Sequence, residues 1–108
     1  MGFVKIGKIS DVKDGTMKKF EVEGKEVLVS NIGGKYYAIN NKCTHRNEDL
    51  SHGKLEGNIV TCPKHSSKFD ITTGKVVSGP KIPLFKLKIN DEEKYELKIE
   101  DNFLYVKI

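Results

Sequence analysis

The chain has 108 residues, 37% of them hydrophobic and 31% charged, with 19 basic side chains against 15 acidic and a formal net charge of +4. That length sets one domain with a workable but modest core, and no apolar run approaches the ~20 residues a membrane span requires. The basic excess does not suit a nucleic-acid surface: the lysines are spread along the chain, and Arg46 is the sole guanidinium available to fork onto bases or phosphates. An acidic protein partner fits this balance better. No apolar leader follows Met1, because Lys5 and Lys8 interrupt the start, so the expected compartment is the cytoplasm. Two cysteines in that compartment argue against a structural disulfide.

Taken in order, the chain reads as β-structure. Residues 3–9 form a first strand, and Asp11 to Gly15 is turn chemistry. Met17–Val22 and Lys25–Ile32 are strands joined at Glu23-Gly24, with Phe20 and Val22, then Val27 and Val29, sharing faces. Gly33-Gly34 is a two-residue connection that accepts positive φ, and it leads into a strand over Lys35–Asn40. Lys54–Glu56 and Ile59–Thr61 make a small hairpin across Gly57-Asn58. Lys68–Asp70 and Lys75–Val77 flank a Thr72-Thr73-Gly74 turn, and Gly79-Pro80 and Pro83 then break the pattern.

The last quarter alternates with period two: Phe85, Leu87, Ile89; Tyr95, Leu97, Ile99; Leu104, Val106, Ile108. This is the signature of half-buried antiparallel strands, and the apolar set is expected to face the core. Helix is confined to at most a turn within residues 46–52.

Residues 43–65 carry both cysteines and all three histidines. Cys43-Thr44-His45 opens the stretch, Cys62-Pro63-Lys64-His65 closes it, and 16 residues lie between His45 and Cys62. Each pair follows a predicted strand, so each sits at a hairpin tip. On ligand type two occupants fit. Zinc takes Cys₂His₂, and a [2Fe–2S] cluster takes two cysteines on one iron and two histidines on the other. A zinc finger usually groups like ligands, whereas both loops here are mixed. His52 is read as a surface or loop-stabilising residue and not a ligand.

Cys43-x-His45, 16 residues, then Cys62-x-x-His65 resembles the Rieske [2Fe–2S] signature. The flanking words agree: Leu50-Ser51-His52-Gly53-Lys54-Leu55, Ser66, Phe69-Asp70, Thr73-Gly74, Gly79-Pro80 and Pro83-Leu84. The chain is most similar to the small stand-alone Rieske-type ferredoxins, including those that serve ring-hydroxylating oxygenases. The resemblance implies an all-β fold: a Rieske-type antiparallel β-sandwich or barrel (about 1–40 and 84–108) with an inserted cluster-binding subdomain (about 41–83). It implies Cys43 and Cys62 as thiolate ligands of the inner iron and His45 and His65 as imidazole ligands of the outer one. Gly79-Pro80 would cover the cluster from a third side.

The activity implied is one-electron transfer by a monomeric carrier, from a reductase to a terminal oxygenase or other acceptor. It is an electron-transfer component and not itself an enzyme. A Rieske-like small subunit of a larger enzyme, such as nitrite reductase, is the rival within the family, and a structural zinc domain the rival outside it. Lys42, Arg46, Lys64 and Lys68 lie near the ligands in sequence and are candidates to rim the tip and dock acidic partners.

Departures from the family pattern are informative. Respiratory and photosynthetic members carry one more cysteine in each loop, forming a bridge; here those positions are Glu48 and Lys64, for which an ion pair is the possible substitute. High-potential members place Ser and Tyr hydroxyls near the cluster sulfurs. Ser67 matches the first, while Phe69 replaces the second and removes a donor, which points to the lower part of the Rieske potential range.

Overall fold

The computed structural model describes residues 2–44, 48–63, 66–78 and 90–108. Its strands are β1 (Phe3–Lys8), β2 (Thr16–Val22), β3 (Lys25–Ile32), β4 (Lys35–Asn40), β5 (Lys54–Glu56), β6 (Ile59–Thr61), β7 (Lys68–Asp70), β8 (Val76–Ser78), β9 (Lys94–Tyr95), β10 (Leu97–Glu100) and β11 (Phe103–Lys107). Two single turns of 3₁₀ helix, Ile9–Asp11 and Leu50–His52, are the helical elements among the described residues. The second falls where the sequence allowed a turn. The first ends β1 one residue earlier than expected, because the Asp11 carboxylate accepts the Lys8 N–H at 2.8 Å and closes a turn there. The expected strand over residues 85–89, and the breaks at Gly79-Pro80 and Pro83, lie outside the described residues.

Among the described residues every strand pairing is antiparallel, in three sheets ordered β1-β11-β10, β2-β3-β4-β9 and β5-β6-β7-β8. The hairpin turns have the left-handed backbone their residues allow: Glu23 and Gly24 at φ 49° and 82°, Gly33 and Gly34 at φ 63° and 90°. Such paired positive φ values match the twist of the flanking strands. Asp101 and Asn102 make the same turn between β10 and β11 without glycine, at φ 52° and 68°.

The middle sheet is covered on both faces. Alternation along β3 sends Val27 and Val29 to one side and Leu28 to the other, and β4 does the same with Ala38 and Ile39. Val27, Val29 and Ala38 join Val22, Leu104 and Val106 in a core shared with the first sheet. Leu28 and Ile39 join Val60 and Phe69 in a second core, shared with the small third sheet. The two-sided burial matches the three consecutive apolar residues Val27-Leu28-Val29 in β3.

The C-terminal pattern departs from expectation in two places. Glu96 interrupts what was read as one strand over residues 95–100. Ile99 lies opposite Leu104, yet is 48% exposed, and among the described residues β10 is the edge strand of its sheet.

Candidate metal centre

The first loop leaves β4 through Asn41, which is fully buried and bonded on every side. Its N–H donates to the Glu26 carbonyl at 3.0 Å, and its carbonyl accepts the Leu50 N–H at 2.8 Å. Its Nδ2 donates to Glu26 Oε1 at 3.0 Å and its Oδ1 accepts the Ser51 N–H at 3.0 Å. A buried amide with all these partners fixes both ends of the loop to the middle sheet. Lys42 and Asp49 then pair as an isolated antiparallel bridge, and the Cys43 N–H donates to the Glu48 carbonyl at 2.7 Å.

Below that neck, the Asp49 carboxylate accepts from Lys42 Nζ at 2.6 Å and from Lys19 Nζ at 3.1 Å. Glu26 Oε1 stands 3.5 Å and 3.9 Å from the same two ammonium groups. The hydrogen bond from Lys42, then that from Lys19, holds the Asp49 carboxyl down at about 2. The hydrogen bond to Asp49 in turn raises both lysines. Lys42 is one of the four candidates to dock an acidic partner, and its ammonium is engaged within the chain by Asp49 and Glu26. His52 lies at the surface with Nε2 3.9 Å from Asp49, in keeping with a loop-stabilising place.

The second loop repeats the design. β6 runs into Cys62, whose N–H donates to the Ser67 carbonyl at 2.8 Å. In both loops the cysteine thus bonds to the carbonyl five positions on, so each neck closes directly beneath its thiol. Ser66 takes the left-handed conformation at φ 62° to turn the chain back. Gly53 makes room at the base: a Cβ there would stand 1.8 Å from the Thr61 carbonyl oxygen.

Cys43 and Cys62, 0% and 3% exposed, sit in one apolar cluster with Leu28, Ile39, Leu50, Val60, Phe69 and Ile71. Neither is part of a disulfide. Phe69 lies wholly inside this cluster and presents no hydroxyl to it. The Ser67 hydroxyl is buried with no hydrogen-bond partner among the described residues, a costly state for a lone polar group. An open hollow of about 250 Å³ beside this loop is lined by His52, Gly53, Lys54, Thr61, Cys62, Pro63 and Ser66.

Two of the four expected ligands are therefore brought together, as buried thiols from two loops with matching necks. The other two, His45 and His65, lie outside the described residues, as do Arg46, Lys64, Gly79 and Pro80. The proposed Glu48–Lys64 pair is outside them for the same reason.

Sequence reasoning missed Asn41, Asp49 and Glu92. Glu92 is 5% exposed, and its Oε2 accepts the Thr44 N–H at 3.0 Å. Burial pushes its carboxyl up to about 8, against a smaller opposing effect of the Thr44 N–H. In the sequence it stands in an Asn-Asp-Glu-Glu run that reads as an exposed turn, and no signal there marks the third position as buried.

A Rieske [2Fe–2S] domain model matches residues 2–88. A ferredoxin component of naphthalene 1,2-dioxygenase/salicylate 5-hydroxylase systems in Ralstonia sp is 35% identical over 100 residues, covering 93% of this chain and 89% of that one. The solved ferredoxin of carbazole 1,9a-dioxygenase from Nocardioides aromaticivorans IC177 superposes with a TM-score of 0.84 at 26% identity, over 98% of this chain and 97% of the other. A chain in the complex of reduced oxygenase and oxidized ferredoxin in carbazole 1,9a-dioxygenase matches with a TM-score of 0.81 at 28% identity, over 96% and 91%.

Proposed function

The chain belongs to the Rieske [2Fe–2S] domain family, and on that premise we propose that it is a one-electron carrier between a reductase and a terminal oxygenase. Such a carrier is an electron-transfer component of a larger system and not itself a catalyst. The partner class follows from its similarity to a dioxygenase-system ferredoxin component and to a chain solved in an oxygenase–ferredoxin complex. We place it in the cytoplasm, where thiols stay reduced until they meet iron.

The observation that carries the reading is the pair of buried thiols, one per loop, in a single apolar cluster beside a Ser67 hydroxyl unpartnered among the described residues. Two thiolates there would be costly to bury alone, so the donor set fits a positively charged iron group. The group supplies, when bound, a centre that gains and loses one electron. Cys43 and Cys62 would hold its inner side, and His45 and His65 would hold the outer side as neutral imidazoles. The apolar cluster excludes water from the thiolate side. Ser67 would donate to sulfur, and Phe69 offers no second donor, which favours a potential low in the Rieske range. We assign residues of about 41–83 to the part that holds the group and about 1–40 and 84–108 to the scaffold.

Iron and acid-labile sulfide analysis, with an EPR spectrum of the reduced protein, tests this. Two irons and two sulfides per chain and a Rieske-type signal are expected. A colourless, zinc-loaded protein, EPR-silent after reduction, would sink the proposal. Reconstituted electron flow from a reductase to an oxygenase, lost when the chain is left out, separates a free carrier from a fixed enzyme subunit.

A further inference from the structure

We propose that Glu92 is a positioning residue for the ligand loop: its carboxyl fixes the peptide between Cys43 and His45, and the segment carrying it ties the two halves of the centre together. The inference rests on reading Cys43 and His45 as ligands.

Residues 90–92 meet Thr44 twice. Glu92 Oε2 accepts the Thr44 N–H at 3.0 Å, and the Thr44 hydroxyl donates to the Asn90 carbonyl at 2.7 Å. Thr44 is the single residue between the two ligands of the first loop, so a grip on its backbone sets the direction of both neighbours. The same segment also holds the sheet that carries the second loop, at its β7–β8 end. The Glu92 N–H donates to the Gly74 carbonyl at 2.6 Å, and Asp91 Oδ1 accepts the Val76 N–H at 2.8 Å. Gly74 allows this approach: a Cβ there would stand 2.4 Å from the Glu92 carbonyl oxygen, and its φ of 81° already favours glycine. The segment continues into β9, which pairs with β4, while the Asn40 N–H donates to the Glu93 carbonyl at 2.8 Å. One stretch of chain is therefore anchored on the scaffold, on the first ligand loop and on the β7–β8 turn.

The choice of residue supports a geometric role. Glu92 is 5% exposed, and no ion pair to it occurs among the described residues. A leucine of similar size would be far cheaper to bury. What the carboxyl adds is an acceptor reaching a backbone N–H 48 positions earlier. With Glu48 and Lys64 in the positions where some relatives form a bridge, this non-covalent clasp supplies a cross-connection between the halves.

The test compares wild type with E92Q, E92D and E92L, each as purified. Glutamine keeps an acceptor at the same reach, aspartate keeps the carboxyl but shortens the reach, and leucine keeps only the bulk. Iron release to a chelator at neutral pH and hydrogen exchange of the Thr44 amide should both quicken about tenfold in E92D and E92L, the effect of one lost buried hydrogen bond. The EPR line shape of the reduced protein should change in E92D and stay as wild type in E92Q, where both rates remain within about twofold. E92D at wild-type values overturns the proposal, as does E92Q behaving like E92L, which would show that an acceptor at that reach is not what holds the loop. Should the wild-type protein hold no iron, the carrier reading fails separately. Thr44 exchange then decides alone: faster in E92D but not E92Q supports the clasp, and no change overturns it.

Discussion

Asp49 shows how much a single side chain organises here. It sits at the neck of the first ligand loop and gathers Lys19 from β2 and Lys42 from the loop itself. Its carboxyl is held at about 2 against an ordinary 3.8, so the folded state binds its proton less readily than the unfolded chain does. A group depressed in this way stabilises the fold above its unfolded value and loses that contribution as the pH falls through the folded one. Thermal unfolding should therefore show D49N melting a few degrees below wild type at pH 7, with the gap closing between about pH 4 and pH 2. Salt at about 1 M should also narrow it at pH 7, because these charges are near water. A gap independent of both pH and salt would remove the electrostatic account. None of this was legible in the sequence: Asp49 is one acid among 15, and its cations lie 30 positions upstream and 7 positions upstream.

At the scale of elements, hairpins were the most readable feature. Glu23-Gly24, Gly33-Gly34 and Gly57-Asn58 all stand between paired strands, because two-residue turns need backbone conformations that few residues accept. What periodicity could not show is which strand is covered twice. β3 carries only a short apolar stretch between polar ends, yet Leu28 on its second face is as buried as Val27 and Val29 on the first. The small hairpin of β5 and β6 depends on close approach at its start, where the Thr61 carbonyl occupies the space a Gly53 side chain would need. G53A should cost about 1–3 kcal/mol through forced separation, read as a lower midpoint in urea. Wild-type stability in that variant would show that the neck of the second loop has room to yield.

At the scale of the molecule, the described residues form three antiparallel sheets around two cores, and the middle sheet is common to both. The first core joins aliphatic side chains to Tyr95, whose hydroxyl donates to Glu93 at 2.9 Å. The second includes Cys43 and Cys62, and the Ser67 carbonyl accepts the Cys62 N–H, so its completeness depends on what the thiols hold. Removing iron should therefore loosen residues 41–78 first and leave β1, β10 and β11 protected. Limited proteolysis and hydrogen exchange of the iron-free protein measure this directly. Equal loss of protection in both regions would mean that the two cores melt as one unit.

The sequence by itself determined the all-β class, nearly every described strand and the two Cys/His loops, because these depend on local spacing: period two for strands, special backbone for turns, ligand types a few residues apart. Tertiary structure alone decided what holds the loops. Asn41 reaching Glu26, Asp49 reaching Lys19, and Glu92 reaching Thr44 are contacts between residues 15, 30 and 48 positions apart. Each side chain involved is polar and reads as surface until the fold encloses it. Their partners are set by how the sheets stack, which no local pattern encodes.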